Sequence, residues 1–140
     1  MHATKTEIGE LAEALRDVVT IARRQAAASE HDSALVSLLT HVVAGPLRAG
    51  ELAERACLDP STVSRHLRSL EAEGWLARTP DPDDGRASQL EITAAGRELV
   101  REARRQRLVR LGRAVADWPA EDLTTLTRLT RKLADSLEAL

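Results

Sequence analysis

Residues 60–70, PSTVSRHLRSL, separate into two sides when wound into a helix. At about 100° per residue, Val63, Leu67 and Leu70 fall in one narrow sector, and Ser61, Arg65 and Arg68 lie nearly opposite, with Ser64 and Ser69 on the flanks. The apolar sector must face a core. Asp59-Pro60 supplies an N-cap and a proline at the first helical position, and Gly74 supplies a stop. Any fold of this chain must therefore grip a short helix by one side and leave the other in water. No acid occurs between 60 and 70; Glu71 and Glu73 come only at the far end.

Periodicity places the other elements around this helix. Ile8, Leu11, Ala12, Leu15, Val18, Val19 and Ala22 recur at helical spacing and predict a helix over about 6–28. A polar stretch, Ser29-Glu30-His31-Asp32, interrupts it. Leu35, Leu38, Leu39 and Val42 predict a shorter helix that stops at Gly45-Pro46. Another, about 49–56, presents Leu52, Ala53 and Ala56. After Gly74 the period changes. WLART (75–79) and SQLEI (88–92) read as strands, and PDPDDGRA between them is dense in Pro, Asp and Gly, as a hairpin tip should be. Thr93 can cap a long helix to about 116, Trp118-Pro119 breaks it, and a last helix carries Leu123, Leu126, Leu129, Leu133, Leu137 and Leu140.

The predicted fold is mainly α with a small β-hairpin wing: a winged helix-turn-helix core at 33–93, flanked by helices at 6–28 and 94–140. At 140 residues the whole, 1–140, reads as a single domain. The first, fifth and last helices carry more apolar surface than a core of that size can cover, so they are expected to associate about a two-fold axis as dimerisation helices.

Charge gives no global sign of a nucleic-acid partner. Charged residues are 30% of the chain but mixed in sign, with a net of −2. Phe, Tyr and Asn are absent, Ile is scarce, and Lys5 and Lys132 are the only lysines. These residue types have AT-rich codons, so the abundant arginine follows from a GC-rich genome and says little about DNA. The signal is local. Small hydroxyls allow close approach to a sugar-phosphate backbone, arginine forks onto guanine O6 and N7 or onto phosphate, and carboxylates would be repelled. Ser61, Thr62, Ser64, Arg65 and Arg68 supply that chemistry at the start of the fourth helix, as a helix entering a major groove requires. Taken alone, the same face is an ordinary solvated helix side, and the preceding helix and following hairpin raise the DNA reading above it.

Residues 45–99, GPLRAGELAERACLDPSTVSRHLRSLEAEGWLARTPDPDDGRASQLEITAAGREL, resemble the core of the MarR family of bacterial transcription regulators. ELA, STVSRHLRSLEAEGW, DPDDGRA and ITAAGREL carry the resemblance. It implies that Ser61, Thr62, Ser64, Arg65 and Arg68 belong to the major-groove helix. It also implies that Arg86 is the wing arginine of the adjacent minor groove and that Asp84 is the wing acid that braces such an arginine. By the same resemblance the chain is a homodimeric repressor of an inverted-repeat operator on double-stranded DNA, and regulators of this kind often respond to a small-molecule effector. Two positions depart from the family. Gly85 stands where many members have another basic residue, and Cys57 occupies a turn position where small residues, often glycine, are usual.

Other chemistries find less support. In the fifth helix Arg107 interrupts the stripe Val100, Ala103, Leu111 and Ala114. It either snorkels to water or makes an ion pair at a dimer or effector site. Cys57 is the sole cysteine, so no intramolecular disulfide forms. It is a candidate redox sensor, as in some family members, although its turn position suggests a small buried hydrophobe. His2, His31, His41 and His66 lack ligand spacing, so no metal is expected, and His66 borders the apolar sector as a half-buried packing residue. No nucleophile–base pair, phosphate-cradling loop or paired carboxylates suggest an enzyme, and no cofactor is expected. No apolar run approaches membrane-spanning length and the N-terminus lacks a signal-peptide stretch, so the cytoplasm is the expected compartment. The competing reading is a winged-helix dimer that acts as a protein-interaction module without binding DNA.

Overall fold

The computed structural model describes residues 4–28 and 34–140. His2, His31 and the polar interruption at 29–32 lie outside the described residues, as does position 33. The elements run α1 (Lys5–Ala27), α2 (Ala34–Val42), α3 (Ala49–Ala56), α4 (Pro60–Ala72), β1 (Leu76–Pro80), β2 (Ser88–Ile92), α5 (Ala94–Ala114) and α6 (Ala120–Glu138). The architecture is mainly α with one antiparallel hairpin, as the sequence predicts. The chain forms two compact units, Met1–Arg104 and Arg105–Leu140.

In the first unit α2, α3, α4 and the hairpin share one core. Leu38, Leu39 and Val42 from α2, Leu52 and Ala53 from α3, and Val63, Leu67 and Leu70 from α4 meet Leu76, Leu90 and Ile92 from the strands. Burying each large side chain stabilises by about 1.5–3 kcal/mol before entropy is counted. The strands pair Leu76 with Ile92 and Arg78 with Leu90. The periodicity does not reveal a third extended segment: Leu47 exchanges both backbone hydrogen bonds with Leu90, at 3.1 and 2.7 Å, and widens the hairpin by one residue.

The two turns flanking α4 have different solutions. Between α3 and α4 the chain reverses at Cys57, in the left-handed region at φ 52°. Backbone bonds hold this corner, from Cys57 N–H to the Glu54 carbonyl and from Leu58 N–H to the Ala53 carbonyl, both at 3.1 Å. The Cys57 side chain is exposed, which corrects the expectation of a buried hydrophobe: the backbone, not the thiol, carries the turn. At the far end Gly74 takes φ 73° and turns the chain into β1.

The start of α5 is built onto that second turn. Thr93 Oγ1 donates to the Gly74 carbonyl at 2.7 Å and accepts from Gly96 N–H at 3.1 Å. Thr93 N–H donates to the Trp75 carbonyl at 3.1 Å. Gly96 permits this approach, since a Cβ there would lie 2.2 Å from the Trp75 carbonyl oxygen and 2.9 Å from Ile92 Cγ1.

α1 and α6 contrast with this core. A Thr4–Glu7 capping box starts α1, yet none of its residues is buried, and Ile8, Leu11, Val18 and Ile21 stand at least half exposed. In the second unit α6 also buries nothing, and Leu123, Leu126, Leu129 and Leu137 are exposed. Along α5 the predicted stripe starts half-buried at Val100, is buried at Ala103 and is exposed at Arg107, Leu111 and Ala114.

Gly96→Ala is expected to destabilise the fold by about 1–3 kcal/mol through overpacking. Gly112→Ala, where nothing lies within 4 Å of an added Cβ, should be neutral or raise stability by up to about 1 kcal/mol. Thermal or urea denaturation of the two variants checks the contrast.

Candidate nucleic-acid interface

α4 presents the face that its sequence dictates. Val63, Leu67 and Leu70 are almost completely buried, and Ser61, Ser64, Arg65, Arg68 and Ser69 are exposed. Thr62 and His66 sit half-buried at the boundary, the latter as its place beside the apolar sector predicts. The helix holds no acid in its first turn.

Its N-terminus is nonetheless served by a carboxylate. Asp59 accepts Thr62 N–H at 2.9 Å, the Ser61 hydroxyl at 2.5 Å and the Thr62 hydroxyl at 2.5 Å. The Ser61 hydroxyl, the Thr62 hydroxyl and the Thr62 N–H, in that order, hold the Asp59 carboxyl well below the usual carboxylate range. Two hydroxyls that the sequence assigns to an incoming backbone are thus engaged by the cap. Either hydroxyl can donate to another acceptor only by turning from Asp59. At the other end Arg78 Nε pairs with Glu71 Oε1 at 2.6 Å, tying the last turn of α4 to β1.

The hairpin tip, residues 81–87, carries Arg86 exposed. Asp84 Oδ1 accepts Arg86 N–H at 3.0 Å, so the bond between them orders the backbone rather than the guanidinium. Asp81 differs from the exposed tip acids Asp83 and Asp84. Its side chain is 1% exposed, and it is the one buried charged residue among the described residues. Arg48 Nε donates to its Oδ2 at 2.6 Å. Its Oδ1 accepts the N–H groups of Asp83 and Asp84 at 2.8 and 3.3 Å. The Arg48 hydrogen bond, then the Asp83 N–H, lower the Asp81 pKa against the opposing effect of burial. Arg48 and Asp81 are 33 positions apart, and no period or motif in the sequence joins them.

No group of three or more His, Cys, Asp or Glu residues is placed to hold a metal among the described residues. Nor is any helix among them long and apolar enough to cross a membrane.

A helix held by its apolar side after a tight corner, followed by a hairpin whose tip carries an exposed arginine, is a winged helix-turn-helix module. The sequence model of the MarR family matches residues 34–88, which span α2 to the start of β2. YxaD of Bacillus subtilis, an uncharacterized HTH-type transcriptional regulator, is 36% identical over 89 residues, covering 64% of this chain and 62% of its own. Mb0904 of Mycobacterium bovis, of the same description, is 36% identical over 104 residues, covering 74% of this chain and 67% of its own. The chain thus matches under two thirds of the length of YxaD. In fold, a MarR family protein from Bacillus stearothermophilus superposes with a TM-score of 0.87 at 19% identity, over 98% of this chain and 99% of that one. FabT of Streptococcus pneumoniae, solved in complex with DNA, superposes at 0.70 with 18% identity, over 97% and 99%. The chain belongs to the MarR family, and the relatives it matches are named HTH-type transcriptional regulators.

A carboxyl held low in the folded state stabilises fully above its unfolded pKa, near 3.8 for Asp59, and loses that contribution as pH falls toward the folded value. Wild type should therefore melt above Asp59→Ala at neutral pH, with the gap narrowing below about pH 4. Melting curves across the acid range check this, and a constant gap contradicts it.

Proposed function

We propose that this chain is a transcriptional regulator, a homodimer that binds double-stranded DNA sequence-specifically, reading an inverted repeat with α4 in successive major grooves and Arg86 in the flanking minor groove. The observation that carries the reading is the division of α4. Its apolar side is locked in the core, and its outer side offers Ser64, Arg65 and Arg68 with no carboxylate among them. Arginine forks onto guanine or phosphate, and a small hydroxyl lets the helix approach the backbone. Ser61 and Thr62 join the contact at the helix N-terminus once their hydroxyls turn from Asp59. The DNA-bound state of FabT shows that a chain of this fold can take this partner.

Two copies are needed because one such module covers only a few base pairs with modest affinity. The unburied leucines of α6 and the unburied apolar face of α1 supply surface for that association, and Arg107 on α5 belongs to the same interface or to an effector site beside it. A dimer seated on a promoter excludes polymerase, so repression is the regulatory sense we assign. A small molecule that binds better to the spacing unfit for DNA would relieve it.

Arg65→Ala combined with Arg68→Ala should weaken operator binding on the order of 100-fold or more. Both side chains are exposed, so the melting temperature and helicity should stay unchanged. Unaltered binding would instead favour a protein-interaction module. Gly85→Arg tests the wing from the other direction. Nothing lies within 4 Å of a Cβ at this position, so the substitution should strengthen binding and steepen the salt dependence by about one unit of slope per subunit. A binding isotherm at several salt concentrations reads both effects.

A further inference from the structure

We propose that Arg48 is a positioning residue for Arg86: through the buried Asp81 carboxylate it fixes the loop from which the wing arginine meets DNA. The inference rests on the DNA-binding reading above and adds to it a residue outside both α4 and the hairpin.

The physical chain is continuous. Arg48 is held by its backbone on both sides. Its N–H donates to Glu51 Oε2 at 2.7 Å, and its carbonyl accepts Leu52 N–H at 3.0 Å. The preceding residue, Leu47, is paired with Leu90 of β2. From this anchored point the guanidinium reaches Asp81 Oδ2. The other oxygen of Asp81 gathers the N–H groups of Asp83 and Asp84. Asp84 in turn accepts Arg86 N–H through its side chain and Ala87 N–H through its carbonyl, at 3.0 Å each. The loop closes where Asp81 N–H meets the Ala87 carbonyl at 3.1 Å. Each bond from Arg48 to Arg86 thus orients the acceptor of the next.

Charge explains why a cation is needed at the start of this chain. A carboxylate removed from water must be paired or neutralised. Asp81 needs to stay ionised, because an ionised carboxylate accepts on both oxygens and holds several donors at once. If Arg48 is lost, Asp81 must take up a proton or turn toward solvent. Protonation weakens the bonds that the other oxygen accepts from the N–H groups of Asp83 and Asp84, turning outward breaks them, and in either case the loop that carries Arg86 is held less firmly. Arg86 then pays at binding the ordering entropy that the free protein had already paid.

A double-mutant cycle on operator DNA, with Arg48→Gln and Arg86→Ala separately and together, tests the proposal. Arg48→Gln alone should weaken binding severalfold and by no more than Arg86→Ala. In the Arg86→Ala background it should cost less than about twofold. The double variant's salt slope should match that of Arg86→Ala, because a phosphate contact made by Arg48 itself would remove about one further unit of slope per subunit. Asp81→Asn, which weakens the same link from the other side, should reproduce the pattern. Hydrogen exchange in the DNA-free protein should show faster exchange at Asp83 and Asp84 in Arg48→Gln than in Arg86→Ala. Additive losses, an extra drop in salt slope, full affinity in Arg48→Gln or unchanged exchange would each overturn the proposal while DNA binding by wild type stands. A wild-type protein that binds no DNA would overturn the functional reading itself.

Discussion

Burial of Val63, Leu67 and Leu70 against α2, α3 and the hairpin sets the rest of the arrangement. These side chains belong to the apolar cluster that α2, α3, α4 and the strands share, so α4 cannot roll about its axis without exposing them. Because the roll is fixed, the direction of Arg65 and Arg68 is fixed too. The outward face is thus a consequence of the inward one, and its chemistry is free to vary without cost to the fold. The corner at Cys57 and the turn at Gly74 complete the constraint by setting where the helix begins and ends.

The same economy appears where α4 hands over to α5. Thr93 bonds the carbonyls of Gly74 and Trp75, and Gly96 leaves room for Trp75 to approach. The end of α4, the base of the wing and the first turn of α5 are therefore joined by short, directional bonds. In the proposed dimer, the spacing of the two reading helices depends on how firmly this joint is held. That spacing is what an effector would have to change.

Much of this was legible in the sequence, for identifiable reasons. α4 and β2 stand out because Asp59-Pro60, Gly74 and the Pro-, Asp- and Gly-rich tip bound them sharply, and local chemistry decides such boundaries. The capping role of Thr93 follows from the same kind of evidence. The wing network was not legible. Nothing in the sequence sets Asp81 apart from Asp83 and Asp84, because its partner, Arg48, is distant in the chain and meets it only after the fold forms. Leu47 pairs with Leu90 as a single residue between Pro46 and a helix start, too short to leave a period. The exposure of the Cys57 thiol was not legible either, because a left-handed corner can be held by backbone bonds alone, with the side chain left in water. Ser61 and Thr62 were correctly placed on the helix, but their engagement by Asp59 depends on rotamers that spacing does not reveal.

The central claim is that two copies of α4 read neighbouring grooves of one duplex. Footprinting of the purified protein on fragments of its own genome tests this most directly. The account predicts a protected inverted repeat whose half-site centres lie about one helical turn, roughly 10 base pairs, apart on one face of the DNA. Protection of a single unrepeated site, half-sites on opposite faces, or no protected sequence at all would contradict it.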